Sequence, residues 1–202
     1  MPDRYRALGL LTVFGSLRWG ELAALRRSDI AFQARTVRIS RQLSEQRSGG
    51  FTFEPPKSEA GYRTVAIPAV ITPDLASHIV TFAAPGDDGL VFTSSEGKPL
   101  RRSNFCRRVW HPALRAAGLS PIHFHDLRHT GNQFAADEGA NLRELMDRVG
   151  HSTTRAAAMA YLHGSDERQQ AIADALSSRA VAELSCGPSW RVRQDSNPRP
   201  AA

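Results

Sequence analysis

Lysine is nearly absent from this chain. Of its 26 basic residues only Lys57 and Lys98 are lysine, so the cationic surface is almost wholly arginine. Cysteine is as scarce. Cys106 and Cys186 are the two present, too few for a disulfide framework and consistent with a reducing, cytoplasmic setting. No apolar run is long enough to cross a bilayer, so no membrane partner is expected. The opening residues, MPDRYRALGLLTVF, carry charge but no small-residue cleavage site, and so do not read as a signal peptide. Internal repeats are also missing. A length of 202 residues with 41% hydrophobic content suffices for one good core.

Positive charge is present in excess. The formal net charge is +6 and the sequence pI is about 10.1. This balance favours a polyanionic partner, although many soluble proteins are mildly basic, so charge alone leaves nucleic acid and a plain solvated surface both open.

Along the chain, 5–14 reads as a buried helix packed through Leu8, Leu11, Val13 and Phe14. A second helix is expected over 16–25, carrying Arg18, Glu21, Leu22 and Leu25. Glu21 lies three beyond Arg18, placed to orient it or to cap the turn; alone, such a pair is an ordinary surface ion pair. The stretches 35–40, 51–53 and 62–67 read as strands, with turns at 48–50 and 58–61 between them. Lys57 sits at the second turn. A lysine can give a proton to a leaving alkoxide where arginine cannot, but a solvated loop lysine is the commoner case. Lys98, in the turn Glu96-Gly-Lys-Pro99, reads as solvated. Helices are expected over 72–83 and 103–117, the latter with Phe105, Val109, Trp110 and Leu114 at core spacing and Cys106 as plain packing. Arg101, Arg102, Arg107 and Arg108 surround it, either to meet phosphate or to form a solvated face. The expected class is α+β, mainly α-helical with a small three-stranded antiparallel sheet.

The densest chemistry lies in 123–163. His125 and His129 are four apart and share a helix face, with Arg128 beside it and Asp126 in the first turn. Asn141 followed by Glu144 has the capping-box form ahead of Leu142, Leu145, Met146 and Val149, and Gly150 should end that helix. His151 follows at a turn, and a third helix opening at Ser152 carries Tyr161. Two histidines, an arginine and a tyrosine can hold and attack a phosphodiester. The guanidinium fork matches two phosphate oxygens, an imidazole moves protons near neutral pH, and a phenol can take up a phosphoryl group covalently. Arg18 supplies a second cation. His125 and His129 also have the spacing of zinc ligands, but Arg128 adjoins them and no third ligand has matching spacing, so neither metal nor cofactor is expected.

The motifs SLRWGELAALRRSDI, HDLRHT and RVGHSTTRAAAMAYLH, in that order, resemble the catalytic domain of the tyrosine recombinases, phage-type integrases above all. The resemblance spans 2–182 and implies a site-specific DNA recombinase with catalytic residues Arg18, Lys57, His125, Arg128, His151 and Tyr161. It implies that Tyr161 attacks phosphorus, the two arginines bind the non-bridging oxygens, Lys57 protonates the leaving oxygen, and the histidines move a proton and place the phosphate. It also implies double-stranded DNA attachment sites as substrate, a homo-oligomer on DNA that is a tetramer in the synapse, and an accessory directionality factor. The expected organisation is a catalytic domain over 1–184, without the family's core-binding and arm-type domains, and a disordered tail over 185–202. Codons for Asp195-Ser-Asn-Pro198 can match a transfer-RNA T-arm, which would make the tail attachment-site sequence. A short helix over 165–176 would dock on a neighbouring protomer or pack in cis. Trp19 is expected in the core, His129 as packing, His163 as local support or exposed, and Ser16 as a mild replacement for a smaller residue. The alternative is a truncated, non-catalytic DNA-binding remnant or a modulator of a full-length recombinase.

Overall fold

The computed structural model describes residues 1–46 and 48–150. His151, Tyr161, His163, Cys186, the two expected helices beyond Gly150 and the tail lie outside the described residues.

After a 3₁₀ turn, helix α1 (Arg6–Gly15) buries Ala7, Leu8, Leu11, Thr12 and Gly15, an apolar stripe at helical spacing. It stops at Ser16, whose φ of 52° lies in the left-handed region where a side chain is tolerated rather than favoured. That turn delays the next helix. Helix α2 is Trp19–Ala24, not 16–25, and Arg18 stands just outside it in extended conformation. The Arg18 backbone N–H donates to Glu21 Oε2 at 2.7 Å, so the glutamate caps the helix start.

Strands β1 (Ile30–Ala31), β2 (Thr36–Ile39) and β5 (Arg63–Ala66) form a three-stranded antiparallel sheet in the order β1-β2-β5, with Val37 opposite both Ile30 and Val65. Strands β3 (Gln42–Glu45) and β4 (Phe51–Glu54) make a separate antiparallel hairpin. The expected class is therefore present, but one expected member is exchanged. The 51–53 stretch pairs with β3, and the third strand is the two-residue β1. In β3 only Leu43 is apolar, and its burial against Ala23 and Ala24 of α2 holds the strand in place. Such tertiary support leaves almost no period to read.

Helix α3 (Thr72–Phe82) turns Leu75, His78 and Ile79 inward. The next helical element is continuous but irregular, running through α4 (Arg102–Phe105), a π-helical turn (Cys106–Trp110) and α5 (His111–Ala116). Pro112 has no N–H to return to the preceding turn, and the π turn lies next to it. Trp19, Phe105, Trp110 and Phe124 pack as one aromatic cluster, with Phe124 meeting the other three rings at centroid distances of 5.1–5.6 Å. Trp110 Nε1 also donates to Ile122 O at 2.9 Å. These contacts fix the segment leading into α6 (Asp126–Asp137), and with it His125.

Helix α6 packs on α1 and leans closest at Gly131, where a Cβ would sit 1.6 Å from Val13 O. Helix α7 (Leu142–Val149) is closed at both ends as expected. Asn141 Oδ1 accepts from Glu144 N at 3.0 Å, Glu144 Oε2 accepts from Asn141 N at 2.7 Å, and Gly150 takes the left-handed φ of 64°.

Candidate active site

The site is organised around one buried carboxylate. Glu21, 5% exposed, points from the first turn of α2 into a group of arginines. Arg63 forks onto it with Nη1 and Nη2, each at 2.9 Å. Arg18 Nη1 donates to Oε1 at 2.9 Å, and Arg128 Nη1 stands 4.0 Å from Oε2. Burial alone would push the Glu21 carboxyl up, but hydrogen bonding and charge from Arg63, then Arg18, hold it below the usual carboxylate value.

The arginines are tied in turn to carbonyl groups. Arg18 Nη2 donates to Gly150 O at 3.1 Å. Arg128 is among the largest fully buried side chains, donating to Ser16 O and, at 2.6 Å, to Val149 O. Arg148 donates from Nε to Ser16 Oγ at 3.3 Å and from Nη2 to Phe14 O. The left-handed turn at Ser16 thus aims a carbonyl and a hydroxyl at two arginines, so Ser16 does more than replace a smaller residue. The C-terminal ends of α1 and α7 both present carbonyls to Arg128, where the helix dipole is negative.

Two clefts open beside Arg18, whose side chain is 34% exposed. One, of about 290 Å³, is lined by Arg18, Glu21, Gln42, Lys57 and Gly150. The other, of about 300 Å³, is lined by Arg18, Gln42, Arg102, Phe124 and His125. Lys57 is exposed at the turn between β4 and β5. His125 immediately precedes α6, and its ring meets that of His129 edge to face at 4.9 Å. Partial burial, then the nearby His129, Arg128 and Arg102, lower the His125 pKa and favour the neutral imidazole. Among the described residues no group of three or more His, Cys, Asp and Glu could hold a metal ion, and no helix is long and apolar enough to cross a membrane.

The fold thus brings Arg18, Lys57, His125 and Arg128 to one region from three separate segments. A family model described as the phage integrase family matches residues 2–168. The chain belongs to the phage integrase family. The putative prophage phiRv2 integrase of Mycobacterium tuberculosis is 38% identical over 182 residues, 89% of this chain and 48% of that protein. The integrase of Mycobacterium phage L5 is 32% identical over 181 residues, 88% of this chain and 48% of that protein. The chain spans about half the length of these curated relatives. Among solved structures, a Tn1549 transposon integrase in complex with transposon right end DNA superposes with a TM-score of 0.73 at 20% identity, covering 87% of this chain and 59% of that one. XerA recombinase gives 0.64 at 18% identity, covering 84% and 57%. The fold is that of tyrosine recombinase catalytic domains.

In this member of the phage integrase family, sequence reasoning gave no role to Arg63, Arg148 or Gln42, although Arg148 opens the motif RVGHSTTRAAAMAYLH, and it named Arg102 only as one of four arginines that could meet phosphate. All four border the candidate site. Arg63 did leave a signal. It lies two residues before Val65 on β5, so the alternation that buries Val65 turns Arg63 inward too. An arginine on the apolar face of a strand requires a buried acceptor. Trp19 is half-buried in the aromatic cluster, as expected of a packing residue.

Proposed function

We infer that the chain cuts and rejoins duplex DNA as the catalytic part of a site-specific recombinase. The observation that carries this reading is the convergence of Arg18, Lys57 and His125 on adjoining clefts, with Arg18 and Arg128 held by one carboxylate. A phosphodiester seated against Arg18 would have Lys57 on one side and His125 on the other. In the proposed reaction the Tyr161 oxygen attacks phosphorus as His125 takes the phenolic proton. The P–O bond to the 5′ oxygen breaks, Lys57 gives that oxygen a proton, and a 3′-phosphotyrosine with a free 5′-hydroxyl results. Arg18 and Arg128 offset the charge that builds on the non-bridging oxygens, and His151 hydrogen-bonds the phosphate. Rejoining is the reverse attack by a 5′-hydroxyl, so the bond energy is conserved and no nucleotide is consumed.

DNA suits this chemistry better than RNA, because a ribose 2′-hydroxyl beside the phosphotyrosine would be an internal nucleophile. DNA capture would rest on phosphate contacts from the arginine-rich surface. Strand exchange between two duplexes would call for several copies of the chain, a tetramer in the family's manner, with a directionality factor as a further partner.

A nicked suicide duplex carrying the cognate attachment site tests the reading. The wild-type chain should form a covalent protein–DNA adduct, and Tyr161→Phe should abolish it while leaving duplex binding within about twofold, because loss of the nucleophile removes a reacting group and no phosphate contact. Binding without adduct at any protein concentration supports the non-catalytic reading instead.

A further inference from the structure

Arg63 is tied by its guanidinium to three parts of the site, and the proposed chemistry gives it no role. Its side chain is 6% exposed. Besides the two bonds to Glu21, Nε donates to Arg148 O at 2.9 Å and Nη1 to Gly61 O at 3.3 Å. One guanidinium therefore joins the capped start of α2, the last turn of α7 and the turn that follows Lys57. The contacts close a ring. Arg18 bonds Glu21, Glu21 bonds Arg63, Arg63 bonds Arg148 O, and two residues on Gly150 O accepts from Arg18 at 3.1 Å. The packing is tight around it. A Cβ on Gly150 would lie 3.0 Å from Arg63 Nη1 and 2.7 Å from Ala60 O, and a Cβ on Gly61 would lie 2.4 Å from Pro56 Cβ.

We propose that Arg63 is a positioning residue for strand cleavage, setting the Arg18 guanidinium through Glu21 and holding the Lys57 turn in register with it. The inference rests on the recombinase reading above. The bidentate match explains why arginine stands here. A lysine could neutralise Glu21 at one point but could not span both carboxylate oxygens, Arg148 O and Gly61 O together. Arg63 lines neither of the two clefts beside Arg18, so its effect must pass through the residues it holds. An anchoring error of about 1 Å at a reacting group costs about 100-fold in rate.

The test uses the whole chain as wild type, Arg63→Met and Arg63→Lys on the nicked suicide duplex. Single-turnover adduct formation is followed against DNA concentration, alongside thermal melting. The expected result is cooperative melting in all three, DNA half-saturation within about twofold of wild type, and a saturating rate about 100-fold lower for Met with partial recovery for Lys. Adding Glu21→Gln to Arg63→Met should then cost little more, since the two act as a unit. A wild-type chain that forms no adduct overturns the recombinase reading and this inference with it. A wild-type adduct with unchanged variant rates overturns the inference alone. So does a shift in half-saturation with the saturating rate intact, which would make Arg63 a DNA contact. Loss of cooperative melting in both variants also overturns it, by making Arg63 a folding requirement.

Discussion

A carboxylate taken out of water costs several kcal/mol unless its charge is matched, and Glu21 is matched by Arg63, Arg18 and Arg128. Replacing it as Glu21→Gln leaves buried guanidinium groups without a counter-charge and should destabilise the fold by about 3 kcal/mol at neutral pH. The sign of the pH dependence follows from the depressed Glu21 pKa. The unfolded carboxyl titrates near its ordinary value of about 4.3, so the Glu21 contribution is complete above that pH. It is lost as pH falls through the lower folded value. Urea denaturation of wild type and Glu21→Gln should therefore show a wide gap at neutral pH that narrows in acid. A gap that is constant with pH would remove the ionic account. At this scale the sequence is only half legible. Arg18 and Glu21 stand three apart and announce a pair, but nothing local shows that Arg63, forty-two residues from Glu21, completes it.

Helices α6 and α7 were legible because their signals are local. Asn141, Glu144 and Gly150 mark both ends of α7 within one short stretch, and the structure places each as a cap. The β3–β4 hairpin was not, since Leu43 is buried by Ala23 and Ala24 and by no pattern of its own strand. Gly131 shows how a helix pair depends on a missing side chain. With Val13 O only 1.6 Å from where a Cβ would stand, α1 and α6 meet through bare backbone. Gly131→Ala must push the helices apart, and overpacking of this kind costs about 3 kcal/mol. Its larger effect should be on the site, since Arg128 lies one turn earlier on α6 and bonds Ser16 O at the end of α1. The measurement is the melting temperature together with suicide-substrate cleavage, with the cleavage loss expected to exceed the loss of folded protein. Equal losses would show that the spacing serves stability alone.

Across the whole molecule, the four described residues of the expected catalytic set come from the residue just before α2, the β4–β5 turn and the start of α6. Motif order made that convergence legible. Arg102 was not singled out from its run of arginines, because a charged stretch on a helix looks the same whether it meets solvent or a ligand. The structure distinguishes it, placing Arg102 in the cleft with Arg18 and His125. If it contacts a DNA phosphate, Arg102→Ala should lower the slope of log binding constant against log salt by about one, uniformly across sequences. Fluorescence anisotropy from low to high salt measures that slope, and an unchanged value would place Arg102 outside the track. The dipole ends of α1 and α7 that face Arg128 have a separate consequence. Ions dissolved in the buffer screen exposed charges far more than enclosed ones, and Arg128 is enclosed. Raising ionic strength should thus make encounters with DNA rarer while leaving the reactivity of each duplex already seated almost untouched, a division between arrival and conversion written into where the arginines stand.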